Sequence, residues 1–257
     1  LTKEILAERG MQVDEERFRQ LMQEQRERAR SARKDAGADA WKGEGSAASG
    51  LEETVFTGYT QMEGEGKVTA IIQSGQRVDS AAEGAEVSVV LDTTPFYGEG
   101  GGQVGDTGIL EAEGVSVDVV DTSKHEGVYL HRAVVSEGTL NVGDTLTAKV
   151  DEHRRTAIMR NHTAAHLLQA ALRKVLGSHV EQAGQLVNER HVRFDFTHFS
   201  ALTPEELLQV ENLVNQEILK AVPVSVQEMG IEEARLSGAM ALFGEKYGDV
   251  VRVVSVE

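Results

Sequence analysis

The sequence has no cysteine among its 257 residues. That excludes a disulfide framework and removes the thiolates from which most structural zinc sites are built. A chain without thiols fits a reducing cytoplasm. No apolar run approaches the roughly 20 residues that a bilayer-spanning helix needs, and the opening Leu1-Thr2-Lys3-Glu4 lacks the charged-then-apolar layout of a signal peptide. These absences point to a cytoplasmic protein with no membrane partner. A first residue of Leu rather than Met suggests a piece of a longer chain. Positive charge is scarce as well: 26 Lys and Arg stand against 42 Asp and Glu, a net charge of -16. Non-specific nucleic-acid binding rests on clustered Lys and Arg against phosphate, so the chain as a whole is poorly suited to it. One local exception is His153-Arg154-Arg155 with Arg160, which sets a basic group next to the most informative stretch of the sequence.

Chemical signatures are missing too. The glycine-rich segment from Asp92 to Gly108 has neither the Lys-Ser or Lys-Thr of a phosphate loop nor the glycine spacing of a dinucleotide fold. No Ser-His-Asp or Cys-His spacing supports a nucleophilic enzyme. His162-Thr163-Ala164-Ala165-His166 lacks the Glu beside its first His that a metalloprotease uses as general base.

What is present divides into three parts. Residues 14–34 alternate charges with a thin apolar stripe (Val13, Phe18, Leu21, Met22), the pattern of a mostly solvated helix, and residues 35–50 around the lone Trp41 read as a linker. Residues 51–151 carry short alternating runs, Glu86 to Leu91, Val115 to Val120 and Thr145 to Val150, with Gly beside acidic or polar residues at the turns; this spacing implies a small antiparallel β-barrel or sandwich. Residues 152–257 return to helical period. One apolar stripe runs from Ile158 to Leu176 and stops at Gly177, and Thr203-Pro204-Glu205-Glu206 opens a second helix with a capping box. Strands over Val222 to Glu228 and Val250 to Val256 complete an α+β core.

His162 and His166, four apart, project from one helix face and can reach a single metal ion. Two imidazoles do not hold zinc firmly. Either further histidines complete the site, or the pair is structural, or the remaining ligands lie outside this chain. In the glycine-rich segment, Thr94, Gly101, Gly102, Gln103 and Asp106 combine close backbone approach with hydrogen-bonding groups, the composition of a small polar binding site. Arg193 and Asp195 share one face of the strand-like Arg193-Phe194-Asp195-Phe196. Arg132, Arg154, Arg155 and Arg160 are the candidate phosphate-facing cations, and with them stands a second reading, a non-catalytic module gripping a nucleic-acid end. A third is an α+β protein whose histidines are structural.

Taken in order, Thr94-Pro95-Phe96-Tyr97, the Gly100-Gly101-Gly102-Gln103-Val104-Gly105-Asp106-Thr107-Gly108 loop, Asn161-His162-Thr163-Ala164-Ala165-His166-Leu167-Leu168, Arg193-Phe194-Asp195-Phe196 and Gly238 to Asp249 resemble the editing region of bacterial alanyl-tRNA synthetases. Freestanding alanyl-tRNA editing proteins share much of it, but the helical lead of residues 1–33 favours the synthetase. The resemblance implies a second-domain fold of the threonyl/alanyl-tRNA synthetase type and hydrolysis of seryl or glycyl esters of the alanine tRNA, whose acceptor end is then the partner. It implies zinc held by His162 and His166 together with a Cys-x-x-x-His pair lying past Glu257, so that the site is incomplete here. It also places Gln182 at a position implicated in editing, beside Gln103 and the two histidines as candidate catalytic groups. The catalytic motifs of a class II synthetase are absent, so ATP and magnesium belong only to the full-length enzyme.

Overall fold

The structure is a computed structural model and describes Asp14, residues 16–18, 20–24, 47–239 and 248–256. It divides into two compact units, Leu1–Ser49 with Ser74–Gln76, and Gly50–Gln73 with Arg77–Glu257. In the first, residues 16–18 and 20–24 are helical. Asp14 caps this turn, accepting from the Arg17 N–H at 2.8 Å. Phe18 and Leu21 are exposed, as a thin apolar stripe on a solvated helix requires. The remainder of the expected helix, the linker around Trp41, and residues 240–247 of the Gly238 to Asp249 stretch lie outside the described residues.

Residues 50–150 form eleven strands: β1 (Val55–Phe56), β2 (Glu63–Gln73), β3 (Gln76–Val78), β4 (Ser80–Ala82), β5 (Glu86–Leu91), β6 (Thr93–Thr94), β7 (Gly108–Ala112), β8 (Val115–His125), β9 (Val128–Glu137), β10 (Thr139–Asn141) and β11 (Thr145–Val150). β11, β7, β8, β9, β5 and β2 follow one another in antiparallel pairing, and β2 pairs back onto β11, which closes a six-stranded barrel. Closure leaves these strands no open edge. Alternation explains its filling. In β11, Leu146, Ala148 and Val150 point inward while Thr145, Thr147 and Lys149 do not. They meet Val68, Val89, Leu91, Leu110, Val117 and Phe96 in one apolar core. β5 departs from simple alternation, being buried from Val87 through Leu91 on both faces.

Beyond the barrel come α1 (Glu152–Leu176), β12 (Gln182–Val187), β13 (Val192–Phe196), α2 (Pro204–Leu219), β14 (Val224–Gly230), α3 (Ile231–Leu236) and β15 (Val250–Val256). Asp151 caps α1 through its side chain, accepting from Arg154 N at 2.9 Å, and the Gly177 N–H closes its last turn on the Arg173 carbonyl at 3.0 Å. α2 has both halves of the capping box, Glu206 N to Thr203 Oγ1 at 3.2 Å and Thr203 N to Glu206 Oε2 at 2.8 Å. α1, α2 and the β12–β13 hairpin share a core of Ala171, Leu172, Val180 and Val210, flanked by Phe194 and Phe196. β14 and β15 form an antiparallel pair. The fold is thus α+β, with a barrel and a few helices. Among the described residues no helix is long and apolar enough to cross a membrane.

Candidate functional site

The glycine-rich loop between β6 and β7 is strapped to β12. Val187 N donates to Gly102 O at 2.7 Å, and Val104 N to Val187 O at 3.1 Å. The Gln185 side-chain amide donates to Gly101 O at 2.5 Å. Gly102 has φ +77°, and a Cβ there would overlap Gln185 Cγ and stand 2.8 Å from the Gln185 carbonyl oxygen. Only glycine fits both the torsion and the space. Gly100 and Gln103 exchange two backbone hydrogen bonds at 3.1 and 2.9 Å, and the Tyr97 hydroxyl donates to Gly100 O at 3.2 Å. Among the described residues, the N–H groups of Gly101 and Gly102 have no protein acceptor. Two successive donors therefore stand open at the tip of a fixed loop.

That strap brings Gln103 to the histidine pair on α1. His162 Nδ1 lies 2.7 Å from Gln103 Oε1. An amide oxygen only accepts, so Nδ1 carries the proton and the Nε2 lone pair is left for another partner. His166, one turn on, stacks on His162 with ring centroids 5.2 Å apart and planes 9° from parallel. Burial, and secondarily the neighbouring His166, push the basicity of His162 down to about 4; burial lowers His166 too. The pair is therefore neutral near pH 7, the state in which imidazole binds a metal. Among the described residues no group of three or more His, Cys, Asp or Glu side chains could hold an ion. The pair fits zinc as two of four ligands and no more.

Beneath the loop lies a buried ion pair. The Arg155 side chain is 5% exposed and that of Asp106 is 1% exposed. Arg155 Nε reaches both Asp106 oxygens at 2.8 Å, Nη2 also bonds to Asp106, and Nη1 and Nη2 donate to the Gly58 and Pro95 carbonyls at 2.9 Å each. The Tyr97 N–H adds a bond to Asp106 Oδ2 at 2.7 Å. Thr94 is fully buried, with its hydroxyl 2.7 Å from His131 Nε2 and accepting from Phe96 N at 3.2 Å.

The amino-acid sequence matches the family model of class II (A) tRNA synthetases over residues 1–154. The chain belongs to this family. It is 52% identical over 260 residues to the alanine–tRNA ligases of Acetivibrio thermocellus and of Alkaliphilus oremlandii, and 47% identical over 257 residues to that of Bacillus subtilis. Each comparison takes in 100% of this chain and 29% of the ligase, so the chain spans less than a third of the length of these relatives. The part matched by the synthetase model includes the barrel and the glycine-rich loop. His162 and His166 lie beyond it, within the stretch shared with the ligases.

Within this synthetase chain, the residues singled out from sequence fall into separate places. Gln103 meets His162, which stacks on His166, and Gly101 and Gly102 directly precede Gln103 on the loop. Asp106 and Arg155 lie under them and bond to each other, so the Arg155 guanidinium is held inside the fold and does not face solvent. Arg154 donates to Gly105 O at 2.8 Å and pairs with Glu189 at 3.4 Å. Arg160 is exposed on α1. Arg132, on β9, has a buried Nε with no hydrogen-bond partner among the described residues. Gln182 sits opposite Phe196 at the far end of β12, three positions from the loop contact of Gln185. Arg193 and Asp195 pair at 3.2 Å across an exposed face of β13. Sequence reasoning passed over Gln185 and gave no role to Asn161, whose side-chain amide holds the Asn188 carbonyl at 2.7 Å. It also found no second histidine pair. The structure makes one from His179 and His198, with Nε2 and Nδ1 2.9 Å apart; residues nineteen apart leave no periodic trace.

Proposed function

We propose that this chain is a part of an alanine–tRNA ligase, and that the barrel and the α+β core together are its editing region. That region hydrolyses the ester that joins serine or glycine to the alanine tRNA. The observation that carries the reading is the contact of Gln103 with His162, next along the loop to the open Gly101 and Gly102 donors. Attack of water on an ester carbonyl develops negative charge on its oxygen, and two N–H groups fixed on a loop that cannot relax stabilise that charge without reorganisation. Gln103 fixes the His162 tautomer, turning Nε2 toward the reacting centre. His162 and His166 would hold zinc, which when bound polarises a carbonyl or lowers the pKa of a bound water.

The need for such a site is physical. A pocket shaped for alanine cannot strongly reject the smaller glycine or nearly isosteric serine, and a second pocket that hydrogen-bonds a hydroxyl rejects alanine by leaving polar groups unpaired. Gln103 is the group best placed to read that hydroxyl. The tRNA acceptor end is the partner, with exposed Arg160 the cation best placed for its phosphates; the setting is cytoplasmic. ATP and magnesium serve only the full-length ligase.

The test is hydrolysis of serine-charged alanine tRNA, by this chain and by the full-length protein, with zinc supplied. Hydrolysis by the full-length protein that falls about 100-fold in Gln103→Ala is expected. Equal hydrolysis with and without Gln103 would overturn the reading.

A further inference from the structure

We propose that the Arg155–Asp106 pair is a positioning element that sets the glycine-rich loop in register with His162; this rests on the reading of Gln103 and His162 as the centre of the site. Arg155 precedes His162 by seven residues on α1, about two helical turns, so both side chains leave the same helix face. One aims at the base of the loop and the other at Gln103 near its tip. The guanidinium binds three separate pieces of chain at once: the Gly58 carbonyl, the Pro95 carbonyl where the loop begins, and Asp106 where it ends. Asp106 in turn takes the Tyr97 N–H, and its own N–H donates to Tyr97 O at 3.0 Å. The loop is thus closed at its neck and bolted to the helix that carries the histidines.

The packing around this bolt has no slack. A Cβ on Gly58 would overlap the Pro95 carbonyl oxygen, and one on Gly105 would overlap the Thr122 carbonyl. A buried ion pair is a poor device for stability alone, because an apolar pair of similar volume is often as stable or more so. What an apolar pair cannot copy is the directional fork of five N–H groups. Stability and positioning therefore make opposite predictions for one variant.

That variant is D106L/R155M, prepared in this chain with 15N-labelled histidine. Imidazole NMR reads the exchange protection of the His162 Nδ1 proton, which the bond to Gln103 Oε1 shields, and Gln103→Ala identifies the signal. The expected result is a folded protein in which this protection falls about 10-fold or more, with kcat of the full-length protein falling 10- to 100-fold at little change in KM. Unchanged protection in a folded D106L/R155M protein would overturn the proposal. Should that variant not fold, Arg155→Lys decides. It keeps the charge without the fork, so wild-type protection in it overturns the proposal and lost protection in a folded chain supports it. Failure of the editing reading would appear separately, as full-length protein that hydrolyses no mischarged tRNA while the NMR signal still responds to the pair.

Discussion

At the scale of single residues, His131 has the clearest energetic signature. Its ring is fully buried between the Val89 carbonyl, 2.9 Å from Nδ1, and the Thr94 hydroxyl, 2.7 Å from Nε2. A carbonyl only accepts, so Nδ1 carries the proton and Nε2 accepts from Thr94. This arrangement requires the neutral ring, and burial pushes its pKa from 6.5 to about 4 despite the favourable carbonyl bond. The unfolded chain binds this proton more readily than the folded one between those two values. The His131 contribution is therefore complete above pH 6.5, declines as pH falls toward 4, and amounts to about 3 kcal/mol across the window. Urea unfolding measured from pH 7.5 to 4 should show His131→Gln losing stability less steeply than the wild type by that difference. Parallel slopes would show that the ring is protonated in place.

At the scale of elements, the decisive contact is the strap between the loop and β12. Gly102→Ala should lower stability by about 1 to 2 kcal/mol from the positive φ alone, with more from the overlap on Gln185. Adding Gln185→Ala removes the Cγ contact but leaves both the torsion and the 2.8 Å approach to the Gln185 carbonyl oxygen. The double variant should therefore recover only part of the loss in a thermal melt; full recovery would mean that the side-chain overlap was the whole cost. This strap also shows where sequence reading stops. β5 and β11 have the bounds their alternation gave, Glu86–Leu91 and Thr145–Val150, and α1 stops and α2 starts at the caps read from Gly177 and Thr203. Those signals are local, since a cap or a period-two pattern acts over a few residues. The pairing of Gln103 with Val187 spans the last barrel strands and all of α1, and nothing local encodes it. For the same reason Arg155 reads from sequence as a solvated cation of a basic run, while tertiary packing turns it inward to Asp106. Gln103 and His162 were each legible as candidates; that they touch was not.

At the scale of the whole molecule, the metal question depends on ligand number. Zinc is held firmly by four protein ligands, or by three and a water, and the described residues offer His162 and His166 without a third. Preorganisation is good, since the rings are parallel, neutral near pH 7, and one tautomer is fixed by Gln103. It cannot replace missing donors. His179 and His198 present a second pair of facing nitrogens at an exposed position, so a titration of this chain should show weak, superimposed binding at both pairs. Calorimetry with zinc is expected to give no submicromolar site, and H162A/H166A should remove one weak component while H179A/H198A removes the other. The full-length protein, with the Cys-x-x-x-His pair expected of its family, should add one tight site that vanishes with H162A/H166A and persists with H179A/H198A. A submicromolar one-to-one site in this chain alone would show that its own residues complete the coordination, and would place the whole metal centre before Glu257.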